Sequence, residues 1–237
     1  MCPQRRAPSM MHAFASCDAM PLRLVVLISG TGSNLQAIFR AMDAGTCGVN
    51  VAAVISDRAE ARGLDHARER GVPTEIVSMK AFENRSAWDE GLAKVVASHS
   101  PDVVVLAGFM RILGAPLLAL FPFRIVNVHP ALCPAFPGAD APAQAIAARV
   151  RISGCTVHLV DSGVDTGPIL AQAAVPVAID DTAATLHARI QVYEHRLLPE
   201  VLDAIARGVI TLGPVPTVAA SIPPNAALVS PDLNSAP

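Results

Sequence analysis

Asn127 and His129 stand two residues apart at the end of an apolar run, in RIVNVHPALCPAFPG. In an extended chain that spacing puts an amide and an imidazole on the same face. Pro130 follows at once, and Pro134 and Pro137 stiffen the next stretch. A proline ends regular pairing and biases the residue before it away from the helical region. An Asn and a His projecting together from a strand tip, held by a rigid loop, form either a hydrogen-bonded strand end or the centre of an active site. Asp165, in VDSGVDTGPIL, supplies a carboxylate that could pair with His129, raising the imidazole pKa and fixing the ring. The bland reading of that stretch is a turn, because Asp and Gly belong in turns. His158, two residues after Thr156, reads as a structural residue that orients its neighbours. A metal site from His129, His158 and Asp165 is the lesser alternative. The remaining histidines, His12, His66, His99, His187 and His195, show no ligand spacing.

Two further stretches bear on ligands. SGTGSN, Ser29 to Asn34, has glycines at Gly30 and Gly32 that allow positive φ and close approach to the backbone. A helix beginning there would present unpaired N–H groups and the positive end of its dipole, which suits a phosphate. It lacks the Lys of a P-loop and the third glycine of a dinucleotide fingerprint, so the functional reading is a monophosphate site and the bland one a tight turn. LAGFMRIL, Leu106 to Leu113, sets Arg111 inside an apolar loop. It reads either as core or as a pocket wall for a flat aromatic ligand.

These residues must be positioned by the elements around them. Continuous apolar runs at Leu22–Ser29, Val49–Ser56 and Asp102–Gly108, with a short run at TEIV and another at RIVNVH, read as strands covered on both faces. Between them lie helical patterns at Leu35–Met42, in AEARGLDHARERG, in NRSAWDEGLAKVVASHS with a cap at Asn84, and from Leu113 to Phe121. Such alternation predicts an α/β fold, a Rossmann-like doubly wound, mostly parallel sheet. After Gly138 the rhythm changes. A helix at Ala143–Arg149 precedes ISGCTVHLV and GPILAQAAVPV, which follow each other closely and predict antiparallel strands added in the C-terminal part. A long helix over Thr182–Arg207 closes the domain. Asn127 and His129 then lie at the carboxyl end of a parallel strand, where open α/β sheets place ligands.

The 237 residues hold one full-sized domain, read as 21–212. Residues 1–20 read as a disordered extension and 213–237, rich in Pro, Ala and Ser, as a flexible tail. With 18 Lys+Arg against 20 Asp+Glu, nothing suggests a nucleic-acid surface. No apolar stretch approaches the roughly 18–20 residues that span a bilayer. Five scattered cysteines without a C-x-x-C pair read as reduced thiols in a cytoplasmic protein, not a zinc site.

VVLISGTGSNLQAI, DVVVLAGFMRIL, NVHPALCPAFPG and GCTVHLVDSGVDTGPILAQAAVPV together resemble the phosphoribosylglycinamide formyltransferase family, over about residues 22–212. The Asn-x-His-Pro stretch alone is shared with other enzymes that use formyltetrahydrofolate. The resemblance implies direct, metal-free transfer of the formyl group of 10-formyltetrahydrofolate to the amine of 5'-phosphoribosylglycinamide (GAR), by a monomer or homodimer with small-molecule partners and neither nucleic acid nor membrane. It implies Asn127, His129 and Asp165 as catalytic residues, and Gly32, Ser33, Asn34 and Glu194 as GAR contacts. Arg85, Met110, Arg111, Ile112, Leu113 and Asn127 would meet the folate. The family usually carries a basic or His-containing segment after PAFPG, where this chain reads ADAPAQAI, and a basic residue where Ala135 precedes Phe136. A formyltetrahydrofolate hydrolase and a non-catalytic folate or nucleotide module on the same fold are the alternatives.

Overall fold

A computed structural model describes residues 20–219 and 229–230. The first part alternates as expected: β1 (Leu22–Ile28), α1 (Ser33–Asp43), β2 (Val49–Ser56), α2 (Gly63–Arg68), β3 (Thr74–Ile76), α3 (Arg85–Ser98), β4 (Val103–Leu106), α4 (Ala115–Leu120) and β5 (Ile125–His129). The short α5 (Ala141–Ala147) leads to β6 (Ile152–Leu159), β7 (Ile169–Pro176) and the long α6 (Ala183–Ala206). Three two-residue strands follow: β8 (Ile210–Thr211), β9 (Thr217–Val218) and β10 (Val229–Ser230). The main sheet runs β10-β7-β6-β5-β4-β1-β2-β3. Pairing is parallel from β3 across to β5 and antiparallel from β5 through β6 and β7 to β10.

The apolar runs form strands because both faces are covered. Along β1, Leu24, Val26 and Ile28 join a core with Leu35 and Ile38 of α1 and Leu197, Leu198 and Leu202 of α6. The alternate residues Val25 and Leu27 join a second core with Trp88, Leu92 and Val96 of α3 and Leu117 of α4. Each such side chain contributes about 1.5–3 kcal/mol when fully buried. Caps fall where the residue types require. Asn84 accepts the Ala87 N–H at the start of α3, and Thr182 and Thr185 form a capping box on α6.

Local expectations and structure differ at three points. The helix read across 59–71 is shorter, because the Gly63 N–H donates to Gly30 O at 3.1 Å instead of to a helical neighbour. Of the two loop glycines, Gly32 adopts positive φ (74°) and Gly30 does not. The close approach at Gly32 is made by Gly63: a Cβ on Gly32 would lie 2.6 Å from Gly63 Cα. The stretch read as a tail from 213 contains β9, paired with β8, and β10, paired with β7. The remainder of that tail, and the extension read over 1–20 apart from Met20, lie outside the described residues. Among the described residues no helix is long and apolar enough to cross a membrane.

β1 has β2 on one side and β4 on the other, so the chain winds outward to β3 and returns across β1. A crevice therefore opens at the carboxyl ends of β1 and β4. The SGTGSN loop leaves β1 there and the GFMRIL segment leaves β4.

Candidate active site

The two-residue spacing of Asn127 and His129 puts both on one face of β5. The antiparallel register of β6 sets His158 opposite Asn127 and Thr156 opposite His129, and β7 sets Gln172 opposite Thr156. Cross-strand partners share a face, so these five side chains form one polar row. The other parity of the same strands, Val126, Val128, Val157 and Leu159, goes to the α6 core.

Asp165 comes back over that row from the β6–β7 loop, with its own φ at 54°, a left-handed conformation that Asp tolerates better than most residues. Its Oδ2 is 3.4 Å from His129 Nδ1 and its Oδ1 is 3.5 Å from His158 Nε2. Asn127 Nδ2 donates to Asp165 Oδ1 at 3.3 Å and lies 3.2 Å from His158 Nε2. Each ring gives its other nitrogen to a carbonyl: His129 Nε2 to Phe136 O and His158 Nδ1 to Leu159 O, both at 2.8 Å. A carbonyl can only accept, so those two nitrogens carry hydrogens. A further proton between His129 Nδ1 and Asp165 Oδ2 would turn two facing lone pairs into a charge-assisted hydrogen bond.

The proline-rich loop is held from beneath. Thr156 Oγ1 donates to Ala131 O at 2.6 Å and accepts the Cys133 N–H at 2.9 Å. Gln172 Nε2 donates to Cys133 O, and the Gly138 N–H reaches Asp165 Oδ2 at 2.8 Å. Beyond Gly138 the departure ADAPAQAI closes in its own way, with Gln144 Nε2 donating to Pro137 O and Ala139 O. Burial pushes the Asp165 carboxyl up, but the His158 contact, the Gly138 N–H and the neighbouring imidazoles outweigh it and hold it below the usual carboxylate value.

On the β1 side, Gly32 is the N-cap of α1 and offers no side chain to the first-turn N–H groups, and no acidic residue lies in that turn. Ser33 opens the helix, and Asn34 Nδ2 donates to Glu194 Oε2 at 3.2 Å. Glu194, on α6, is only 4% exposed. Burial drives its carboxyl up from 4.5 to about 7, against the opposing Asn34 hydrogen bond. Asn34 Oδ1 is buried with no hydrogen-bond partner among the described residues.

On the β4 side, Met110 and Ile112 are 67% and 61% exposed, whereas Leu113 turns inward to the α3–α4 core. Of the segment expected to meet a ligand, Leu113 therefore turns its side chain to the core. Arg85 is committed within the protein. Its Nε is 2.9 Å from both Asp89 oxygens, Nη2 donates to Ile112 O, and the guanidinium lies over the Trp88 ring. Arg111 Nε donates to Asp57 Oδ2 at 2.7 Å. Ser29 joins the two sides, since its N–H donates to Gly108 O and its Oγ accepts the Met110 N–H at 2.9 Å.

Sequence reasoning underrated His158 and passed over Asp57 and Ser29. The Thr-x-His parity of β6 was a signal for the first. An acid directly after an apolar strand was one for the second. Cys47 and Cys155 are buried, and burial, with Asp203 and Glu194 nearby, pushes their thiols up to about 12. Neither is a thiolate at neutral pH.

The chain belongs to the formyl transferase family, which matches residues 22–202. It is 49% identical over 199 residues to a phosphoribosylglycinamide formyltransferase of Mycobacterium tuberculosis, covering 84% of this chain and 92% of that one. It is 42% identical over 198 residues to the trifunctional purine biosynthetic protein adenosine-3 of Homo sapiens, of whose length it spans about a fifth (20%). Among solved structures, glycinamide ribonucleotide transformylase 1 from Symbiobacterium toebii superposes with a TM-score of 0.81 at 46% identity. That alignment covers 84% of this chain and 94% of that one.

Proposed function

We infer that the chain transfers the formyl group of 10-formyltetrahydrofolate to the amine of GAR, giving formyl-GAR and tetrahydrofolate, in purine biosynthesis. The observation that carries this reading is the polar row on β5 and β6, where one carboxylate faces an amide and two imidazoles beside the β1–β4 crevice. The names of the relatives support it. The GAR amine attacks the formyl carbon, the carbonyl electrons move onto oxygen, and a tetrahedral oxyanion forms. Collapse breaks the bond to the folate nitrogen; the amine gives up a proton and the leaving nitrogen gains one. Asn127 N–H and protonated His129 stabilise the oxyanion, and Asp165 favours the protonated ring and helps relay the proton.

The Asn127 contacts to His158 and Asp165, at 3.2 and 3.3 Å, are long for N–H hydrogen bonds. An oxyanion is a stronger acceptor than either and draws one N–H away from them. His129 Nε2 likewise exchanges Phe136 O for substrate, or the ring acts through Nδ1. The start of α1 takes the phosphate, with Glu194 and Asn34 below it at the ribose. The exposed Met110 and Ile112 side chains cover the folate ring system.

The test is to mix the protein with GAR and 10-formyl-5,8-dideazafolate and follow the deformylated folate. Release that depends on GAR is expected. Release without GAR would mean a hydrolase, and no release would mean a binding module.

Ser33→Asp separates the phosphate role from a structural one. A carboxylate in the first turn of α1 suits the helix dipole, so stability should hold or rise by about 0.3–1 kcal/mol. It occupies the same field as the phosphate, so GAR affinity should fall by about tenfold or more while folate affinity is kept. Separate titrations of the two ligands check this; an equal loss for both would reduce the loop to a turn.

A further inference from the structure

Asp57 follows β2 and has no part in the scheme above. Its side chain is fully buried, and Oδ2 accepts the Nε–H of Arg111 at 2.7 Å. Arg58 Nε is 3.9 Å from the same oxygen, and Oδ1 is buried with no hydrogen-bond partner among the described residues. A buried carboxylate is costly unless it is paired, so the charge of Asp57 commits Arg111 to one place. Only Nε is used. The Arg111 side chain remains 37% exposed, and Nε is the atom of its guanidinium that finds a partner among the described residues.

The backbone around Arg111 is fixed as well. Gly108 O accepts from Ser29 N–H, Met110 N–H donates to Ser29 Oγ, and Ile112 O accepts from Arg85. These bonds hold main chain. The Asp57 contact holds a charged side chain whose unused donors form a planar fork suited to a carboxylate or carbonyl. An arginine free in solvent loses much rotamer freedom when it binds; one already held by Nε loses less.

We propose that Asp57 is a positioning residue for the folate co-substrate, holding Arg111 so that its terminal N–H groups are pre-set toward an anionic or carbonyl group of that molecule. The inference rests on the formyl-transfer reading. Asp57 itself touches no substrate and acts through Arg111.

The experiment is steady-state kinetics on wild type, Asp57→Asn, Arg111→Gln and the double variant, each substrate varied in turn. Asp57→Asn should raise KM for the folate by about tenfold or more, the scale of one hydrogen bond to a charged group, and change kcat and the KM for GAR by less than about twofold. Arg111→Gln alters a half-exposed side chain and should give the same folate-specific rise. In its presence Asp57→Asn should add nothing. If both KM values rise together with a lower thermal midpoint, or if the two effects multiply, Asp57 is a structural residue and the proposal is overturned. Should Asp57→Asn fail to fold, an unchanged folate KM in Arg111→Gln overturns it alone. Wild-type protein that transfers no formyl group to GAR refutes the functional reading instead.

Discussion

Asp165→Asn should lower kcat by about 10²–10⁴, the range for a general acid–base group, with GAR affinity nearly kept. The carboxylate faces His129 and His158 through its two oxygens, accepts from Asn127 and takes the Gly138 N–H. Asparagine keeps the shape and tolerates the left-handed backbone at this position. It removes the negative charge beside the two rings, and its amide nitrogen sets a donor against either the Gly138 N–H or the Asn127 N–H. His129→Ala should fall in the same range. The combined variant should be little worse than either, because residues that act as one unit are strongly non-additive. Single-turnover measurements separate the chemical step from release. Near-normal turnover in Asp165→Asn would remove Asp165 from the chemistry.

Glu194 leads to the second large effect, on stability against pH. Its carboxyl titrates near 4.5 when exposed and at about 7 in the folded chain, because burial penalises the charge. Between those values the folded chain holds a proton that the unfolded chain has released. Stability therefore falls as pH rises through that window, by about 3 kcal/mol in all. Glu194→Gln keeps an acceptor for Asn34 and cannot ionise. It should flatten this part of the profile and be the more stable protein at pH 8, while binding GAR less tightly. Asp165 has the opposite sign: its lowered pKa contributes stability that is lost as pH falls through its folded value. Denaturant midpoints of both proteins from pH 4.5 to 8 decide the matter. Parallel curves would mean that Glu194 stays ionised when buried.

The strands were legible because burial on both faces writes an uninterrupted apolar run, as in Leu24–Ile28 and Val103–Leu106. Asn127 and His129 were legible because i and i+2 share a face whatever the rest of the fold does. Asp165 could be named but not placed, since its approach depends on how the 160–168 loop folds back. His158 looked structural because its partners lie across an antiparallel register that no local pattern states. Asp57 and Ser29 act through residues 54 and 81 positions away, so nothing in their own surroundings marks them. The difference between Gly30 and Gly32 has the same origin: the contact that requires glycine at Gly32 comes from Gly63.

The sheet ends differently on its two sides, and the two edges differ in what they would offer another strand. At one side β3 is three residues long and presents few free main-chain groups. At the other, β7 is eight residues long, rich in Ala, Val and Leu, and would be a ready template for a strand from another molecule. Val229 and Ser230 occupy part of that side by pairing with Ala173 and Gln172, and Pro176 withholds an N–H at the far end of the strand. The two residues of β10 thus cover part of an otherwise adhesive edge, on the outer side of the strand that carries Gln172 of the polar row.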